Sequence, residues 1–217
     1  MSDSMLSGDA ISILYGLVGL FTIFRLVQQR SSFFDRIVTE EDMHLVWLIA
    51  FFLLTPLGVL AHEAGHYFAA EYYGATNVEL NHRGYWGFVT YSGTFDSSTQ
   101  FIITGAGPLI GTALGLVCFA GAIVLPIRMI LRHLLASFGF LEVFHHLVGY
   151  PLLDLLSDFE GDFHTIYSLL PIHSAVAVGL VHLALIVLLR LAWQAPPTRQ
   201  PAQVVRRRLG LASSLAP

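Results

Sequence analysis

A His-Glu-x-x-His motif at His62, Glu63 and His66 is the pattern in this sequence most able to do chemistry. On an α-helix the two histidines lie four residues apart, so both imidazoles project from one face and can bind one zinc ion. Glu63 lies near that face and, in sites of this kind, takes a proton from a water molecule on the metal. The motif therefore predicts a catalytic zinc site. The alternative is a pair of buried, hydrogen-bonded histidines on a packed helix.

Composition places this motif in a membrane protein. Of 217 residues, 55% are hydrophobic and 12% are charged, whereas soluble domains carry about 25% charged residues. The formal net charge of −4 and the absence of lysine give no case for nucleic-acid binding. Cys118 is the single cysteine, so an intrachain disulfide framework is excluded.

Five apolar runs predict an all-α membrane protein of about five transmembrane helices. The second run is too long for one simple span, and Pro56 and Gly58 are expected to kink it, leaving the motif on its terminal half. The runs cover residues 10–27, about 44–73, 100–126, about 129–153 and about 173–193.

Residues 75–98 differ in character from the runs on either side, being rich in glycine, tyrosine, threonine and valine. Two β-prone stretches flank a turn at residues 81–84, which favours a small β-hairpin between the second and third spans; a solvated loop is the alternative. The open edge of such a hairpin could receive an extended peptide by β-addition. In the third run, small residues from Gly105 to Gly115 predict close approach to the motif helix.

The arginines predict the orientation. With the N-terminus outside, nearly all of them fall on the inner side and only Arg83 on the outer side, so the positive-inside rule predicts an N-out, C-in protein. We expect one polytopic domain over residues 1–195 and a basic, flexible tail over residues 196–217. The expected location is a bacterial cell membrane.

Taken together, these residues resemble the site-2 protease group of intramembrane zinc metalloproteases. The resemblance is carried by HEAGH at residues 62–66, by GAGPLIG at residues 105–111 and by an aspartate after the fourth run. Members typically have Gly-Pro-x-x-Asn, and here Gly111 replaces the asparagine. Their third zinc ligand lies in Leu-Asp-Gly, a tripeptide that this sequence lacks.

The third ligand is therefore chosen from the acidic loop after the fourth run. We favour Asp162 because it follows Gly161 and starts a helix-like run, as the family aspartate precedes a helix. Asp158 is the next candidate, and the remaining possibilities include His145 or His146. These two histidines are adjacent and point to different helix faces, so at most one of them faces the site. The other carboxylates of the loop are Asp154 and Glu160.

The resemblance implies a zinc-dependent endopeptidase that cleaves transmembrane or membrane-associated proteins, with Zn²⁺ held by His62, His66 and Asp162 and Glu63 as the general base. One alternative is a membrane zinc hydrolase acting on a lipid or a small amide. Another, suggested by the 10 histidines, is a haem-binding or metal-transporting bundle.

Overall fold

The chain is mostly helical, with one two-stranded sheet. The structure is a computed structural model that describes residues 2–156 and 161–169 and the single positions 179, 180, 183, 184 and 187. In chain order the elements are α1 (Ser2–Phe33), α2 (Glu40–Ile49), a π-helical turn (Ala50–Leu54), α3 (Thr55–Tyr72), β1 (Thr76–His82), β2 (Gly87–Ser92), α4 (Ser97–Val124), α5 (Met129–Phe144), a second π-helical turn (His145–Gly149), α6 (Tyr150–Leu156) and α7 (Asp162–Leu169).

Three helices are long and apolar enough to cross a membrane, namely Gly8–Phe33, Glu40–Tyr72 and Ser97–Val124. They coincide with the first three predicted runs. The fourth run is helical, but its π-helical turn divides it into α5 and α6. The fifth run lies almost wholly outside the described residues, and so does the predicted tail over residues 196–217.

The second run is interrupted before Pro56 rather than at Gly58, which lies inside the regular helix α3. Pro56 has no backbone N–H, so the carbonyl of Phe52, four residues earlier, loses its helical donor. The hydroxyl of Tyr85 donates to this carbonyl at 2.5 Å. His82 lies with its Nε2 2.9 Å from the carbonyl of Pro56 and donates to it. The hairpin is thus bonded to the irregular part of the helix that carries the motif.

The predicted hairpin is confirmed, and its turn lies two residues later than expected. The strands are antiparallel, and His82 still pairs with Gly87, so residues 81 and 82 belong to β1 rather than to the turn. The backbone N–H of Arg83 donates to the carbonyl of Trp86 at 2.9 Å and closes the loop. Gly84 has φ +84°, a left-handed conformation that glycine adopts without a steric penalty.

The apolar core and the motif lie at opposite ends of the long α2–α3 helix. At the core end, Thr39 and Asp42 form a capping box that starts α2. At the other end, α3 packs against α4, which in turn packs against α5. The motif is therefore held between helices rather than on a loop. The core cluster consists of Phe33, Leu45, Val46, Ile49 and Ile130.

Candidate metal centre

Helix α3 presents the three motif residues on one buried face. His62, Glu63 and His66 are 7%, 6% and 7% exposed. The Nε2 atoms of the two histidines lie 3.0 Å apart, so the two rings point toward a common place, as their spacing predicted.

Asp162, from the first residue of α7, completes a triangle of donor atoms. Its Oδ2 lies 2.9 Å from Nε2 of His62 and 3.1 Å from Nε2 of His66. These three residues form a group that could hold a metal ion. Asp162 is the carboxylate that the sequence favoured; the competing Asp158 lies outside the described residues, as does Glu160.

The size of this triangle fits zinc. With edges of 3.0, 2.9 and 3.1 Å, its centre is roughly 1.7 Å from each corner, slightly less than the 2.0–2.1 Å of zinc–nitrogen and zinc–oxygen bonds. His62, His66 and Asp162 could therefore hold one ion together. Two imidazoles and one carboxylate are also a donor set that catalytic zinc sites use, with a fourth position left open.

The hydrogen bond on the far side of His66 fixes which of its nitrogens is free. Nδ1 of His66 lies 2.9 Å from the backbone carbonyl of Ile103. A carbonyl can only accept, so Nδ1 must carry the proton and donate it. In the neutral ring, the lone pair is then on Nε2, which faces the triangle.

Two hydrogen bonds in series, through His146, determine which nitrogen of His62 carries the proton. Nδ1 of His146 lies 2.8 Å from the carbonyl of Glu142, so this nitrogen is the donor and Nε2 of His146 is an acceptor. That Nε2 lies 3.0 Å from Nδ1 of His62. The planes of the two rings are only 24° apart with centroids 5.1 Å apart, which suits an in-plane N–H···N bond joining the rings edge to edge. His62 therefore donates from Nδ1 and keeps its Nε2 lone pair for the triangle.

The three converging atoms are thus all acceptors when the rings are neutral. Two lone pairs and a carboxylate oxygen within 3.1 Å of one another repel unless positive charge lies between them. Protonating both rings would place two cations side by side, since their centroids are 4.7 Å apart. A proton shared between one ring and Asp162, or one divalent cation, would remove the repulsion.

Asp162 is held in place by α6, one element earlier in the chain. Oδ2 of Asp154 accepts the backbone N–H groups of Phe163 and His164 at 2.8 and 3.1 Å, so it caps the start of α7. The backbone N–H of Asp162 donates to the hydroxyl of Tyr150 at 3.3 Å. Burial alone would raise the pKa of Asp162, but the imidazoles of His62 and His66, when they are protonated and donate to this carboxylate, outweigh burial and hold this pKa to about 2. Asp154 is thus a positioning residue rather than a ligand.

The small residues of α4 admit the imidazole heads, as the sequence predicted. The backbone of Gly107 passes directly over the two Nε2 atoms. A Cβ at this position would contact Nε2 of His66 and would lie 2.7 Å from Nε2 of His62. Glycine at this position therefore leaves room for the two imidazole rings.

Gly111 stands where proteins of the site-2 protease group typically have asparagine, and in this structure it lies against the ring of His146. The ring of His146 fills the space in which a side chain at residue 111 would lie, with its Nδ1 2.8 Å from the position of a Cβ there. His146 is 2% exposed. A glycine at this position therefore makes room for the ring that orients His62.

Glu63 lies beside the triangle and lines a cavity of about 510 Å³. Gly87, the first residue of β2, packs against its side chain, because a Cβ at this glycine would lie 2.7 Å from Cγ of Glu63. The cavity extends from Glu63 and His62 to α1, α5 and the loop of the hairpin. Glu63 thus lines this cavity together with His62 of the donor triangle.

The structure brings His62, Glu63, His66 and Asp162 together. Of the two adjacent histidines, His146 faces the site, but it bonds to the far side of His62 and is not a member of the triangle. His145 packs its ring against Tyr150. Sequence reasoning missed the relay from His146 and the role of Gly107.

Comparison with models of known protein families, with curated proteins and with solved structures found no match.

Proposed function

We propose that this protein is a zinc-dependent intramembrane endopeptidase. The proposal is carried by the donor triangle of His62, His66 and Asp162 with Glu63 beside it, set in a chain whose helices are long and apolar enough to cross a membrane. The helix that carries the motif, Glu40–Tyr72, is itself one of these. Zinc is the metal that the two neutral imidazoles and the carboxylate suit best.

Bound zinc would supply Lewis-acid polarisation of a carbonyl group and would acidify a water molecule. Glu63 performs the proton transfers: it accepts a proton from the attacking water and returns it to the leaving amine. Its carboxyl group is suited to this task because it lines the cavity and is held by Gly87 on one side. The relays through Ile103 and His146 keep both imidazoles in the tautomer that leaves Nε2 free.

A transmembrane substrate must unwind before it can be cleaved, because its carbonyl groups are otherwise bonded within its own helix. The hairpin is placed to receive the unwound segment. β2 starts at Gly87, directly against Glu63, so a peptide added to an open edge of the hairpin would run toward the cavity. We also propose the finer membrane arrangement of five spans, N-out and C-in, in a bacterial cell membrane.

The proposal is tested by replacing Glu63 with Gln in the full-length protein in lipid nanodiscs. We expect zinc content to be unchanged, since Glu63 is not one of the three donors. Cleavage of a panel of fluorogenic transmembrane peptides should fall by about 10²–10⁴-fold, the usual contribution of general acid–base catalysis. Glu71→Gln is the matched control, because Glu71 is an exposed residue on the same helix whose side chain accepts a hydrogen bond from Tyr67.

Cleavage that persists at the wild-type rate in the Glu63→Gln protein, or that survives complete removal of zinc by a chelator, would exclude this mechanism. Absence of any peptide cleavage by zinc-loaded wild-type protein, together with hydrolysis of lipids or small amides, would favour the non-proteolytic hydrolase.

A further inference from the structure

Glu142 is a buried carboxyl group that the proposed reaction does not use. It lies on α5 and is 4% exposed. Its carboxyl group rests on the backbone of Gly58 in α3, since a Cβ at this glycine would lie 2.5 Å from Cδ and 2.7 Å from Oε2. Any larger residue at position 58 would displace it. The two helices are therefore matched to place this group.

The carboxyl group lacks a counter-ion among the described residues. Oε2 is buried and has no hydrogen-bond partner there. Nδ1 of His146 lies 3.9 Å from Oε2, but that N–H is already donated to the backbone carbonyl of Glu142. A buried carboxyl group without a partner avoids the cost of a buried charge by keeping its proton, and a cation that enters the cavity would let it ionise.

Glu142 lines the same cavity as Glu63 and His62. Two further polar atoms on the cavity wall, Oγ of Ser12 and Nε1 of Trp86, are also buried without a partner among the described residues. Much of the remaining wall is aromatic or aliphatic. An aromatic wall with a carboxyl group at Glu142, apart from the one at Glu63, suits a cationic head on an apolar stem. The lining aromatic residues are Phe51, Tyr85, Trp86, Phe144 and Tyr150.

We propose that this cavity is a subsite for a lysine or arginine side chain of the substrate, with Glu142 as its counter-ion. The inference rests on the proposed endopeptidase function and specifies its substrate class. Gly58 precedes His62 by four residues, roughly 6 Å along α3. An extended chain advances about 3.3 Å per residue, so the basic residue lies about two positions from the scissile bond.

The test uses synthetic transmembrane peptides of leucine and alanine with a central Asn-Gly-Pro break. Each carries Lys, Arg, Gln or Leu at one of the three positions on either side of the break. Binding is measured by fluorescence anisotropy to zinc-loaded Glu63→Gln protein in nanodiscs, and cleavage is measured with Glu63 intact. We expect the Lys and Arg peptides to bind at least about tenfold more tightly than the Gln and Leu peptides at one position, as charge-assisted hydrogen bonds allow.

Glu142→Gln should reduce this preference to less than twofold while zinc content stays unchanged. Gly58→Ala provides a second route, because its methyl group displaces the carboxyl group without removing it. Glu71→Gln is again the matched control and should keep the preference. If the Glu142→Gln protein does not fold, the same binding preference is measured with the Gly58→Ala protein, in which it should also be lost.

Equal binding of the Gln and Lys peptides, or a preference that survives both substitutions, would overturn the subsite. The proposed function is judged separately. Glu142-dependent binding of basic peptides without cleavage by wild-type protein would support the subsite and reject the endopeptidase. Cleavage without any preference for basic peptides would support the endopeptidase and reject the subsite.

Discussion

Replacing Gly107 by alanine should abolish metal binding while leaving the fold intact. The added methyl group would contact Nε2 of His66 and lie 2.7 Å from Nε2 of His62. Real Cβ atoms essentially never approach other heavy atoms this closely, so the methyl group would overlap both imidazoles. Helix α4 and the two rings must therefore move apart, and the three donors no longer converge.

The expected decrease in zinc affinity follows from the loss of at least one ligand. Structural zinc sites bind with about 10–16 kcal/mol in total, so one of four ligands is worth roughly 3 kcal/mol, or about 100-fold in affinity. Helix propensity acts in the opposite direction, because alanine stabilises a helix interior over glycine by about 1 kcal/mol. A loss of zinc therefore reflects the contact and not a weakened helix.

Gly105→Ala is the matched control, since it lies on the same helix and a Cβ there has nothing within 4 Å. Zinc stoichiometry by mass spectrometry and affinity by chelator competition should be unchanged in Gly105→Ala. In Gly107→Ala, the affinity should fall by at least about 100-fold, and the stoichiometry should fall with it. If Gly107→Ala keeps full stoichiometry and an affinity within threefold of wild type, the ion does not lie between the two imidazoles.

Three further outcomes are expected. His146→Phe removes the acceptor for Nδ1 of His62 and should weaken zinc binding by about 10–100-fold. His145→Phe should change the zinc affinity less than threefold in the same chelator competition. Asp154→Ala uncaps α7 and should cost about 1 kcal/mol in thermal unfolding together with part of the zinc affinity; unchanged affinity would show that α7 is held by other contacts. Acid should release zinc as the imidazoles protonate, because metal ligands must be deprotonated. With its pKa held to about 2, Asp162 stays ionised in this range, and its stabilising contribution, present above pH 3.8, is lost only as the pH falls toward 2. Zinc that dialysis at pH 4 does not remove would contradict this assignment.

Local rules predicted much of the centre. The spacing of His62 and His66 places both rings on one face of any regular helix, and a carboxylate that follows a glycine and starts a helix was the best available third donor. The hairpin followed from β-prone stretches around a turn, and the small residues of α4 indicated close packing. Each of these signals is itself contained within a short stretch of the chain.

The parts that sequence reasoning missed depend on contacts between distant segments. His146 meets His62 across 84 residues, and no local pattern specifies that pairing. A signal was nevertheless present: Glu142 and His146 lie one helical turn apart in an apolar run, and polar groups there require partners. The sequence predicted a kink near Pro56, and the structure has a π-helical turn there. The carbonyl of Phe52 in this turn accepts from the hydroxyl of Tyr85, which lies in another part of the chain.

The separation of Asp162 from the motif also sets the timing of assembly. It lies 96 residues beyond His66, which a ribosome adds in roughly 5–20 s at usual elongation rates. During that interval the nascent chain has two of the three candidate donors, so the proposed centre is incomplete. Once Asp162 is added, an ion held by all three donors would act as a cross-link over a long loop, comparable to a disulfide that restricts the unfolded chain by about 4–5 kcal/mol. The proposed hydrolase would therefore become competent only when most of its chain has been made.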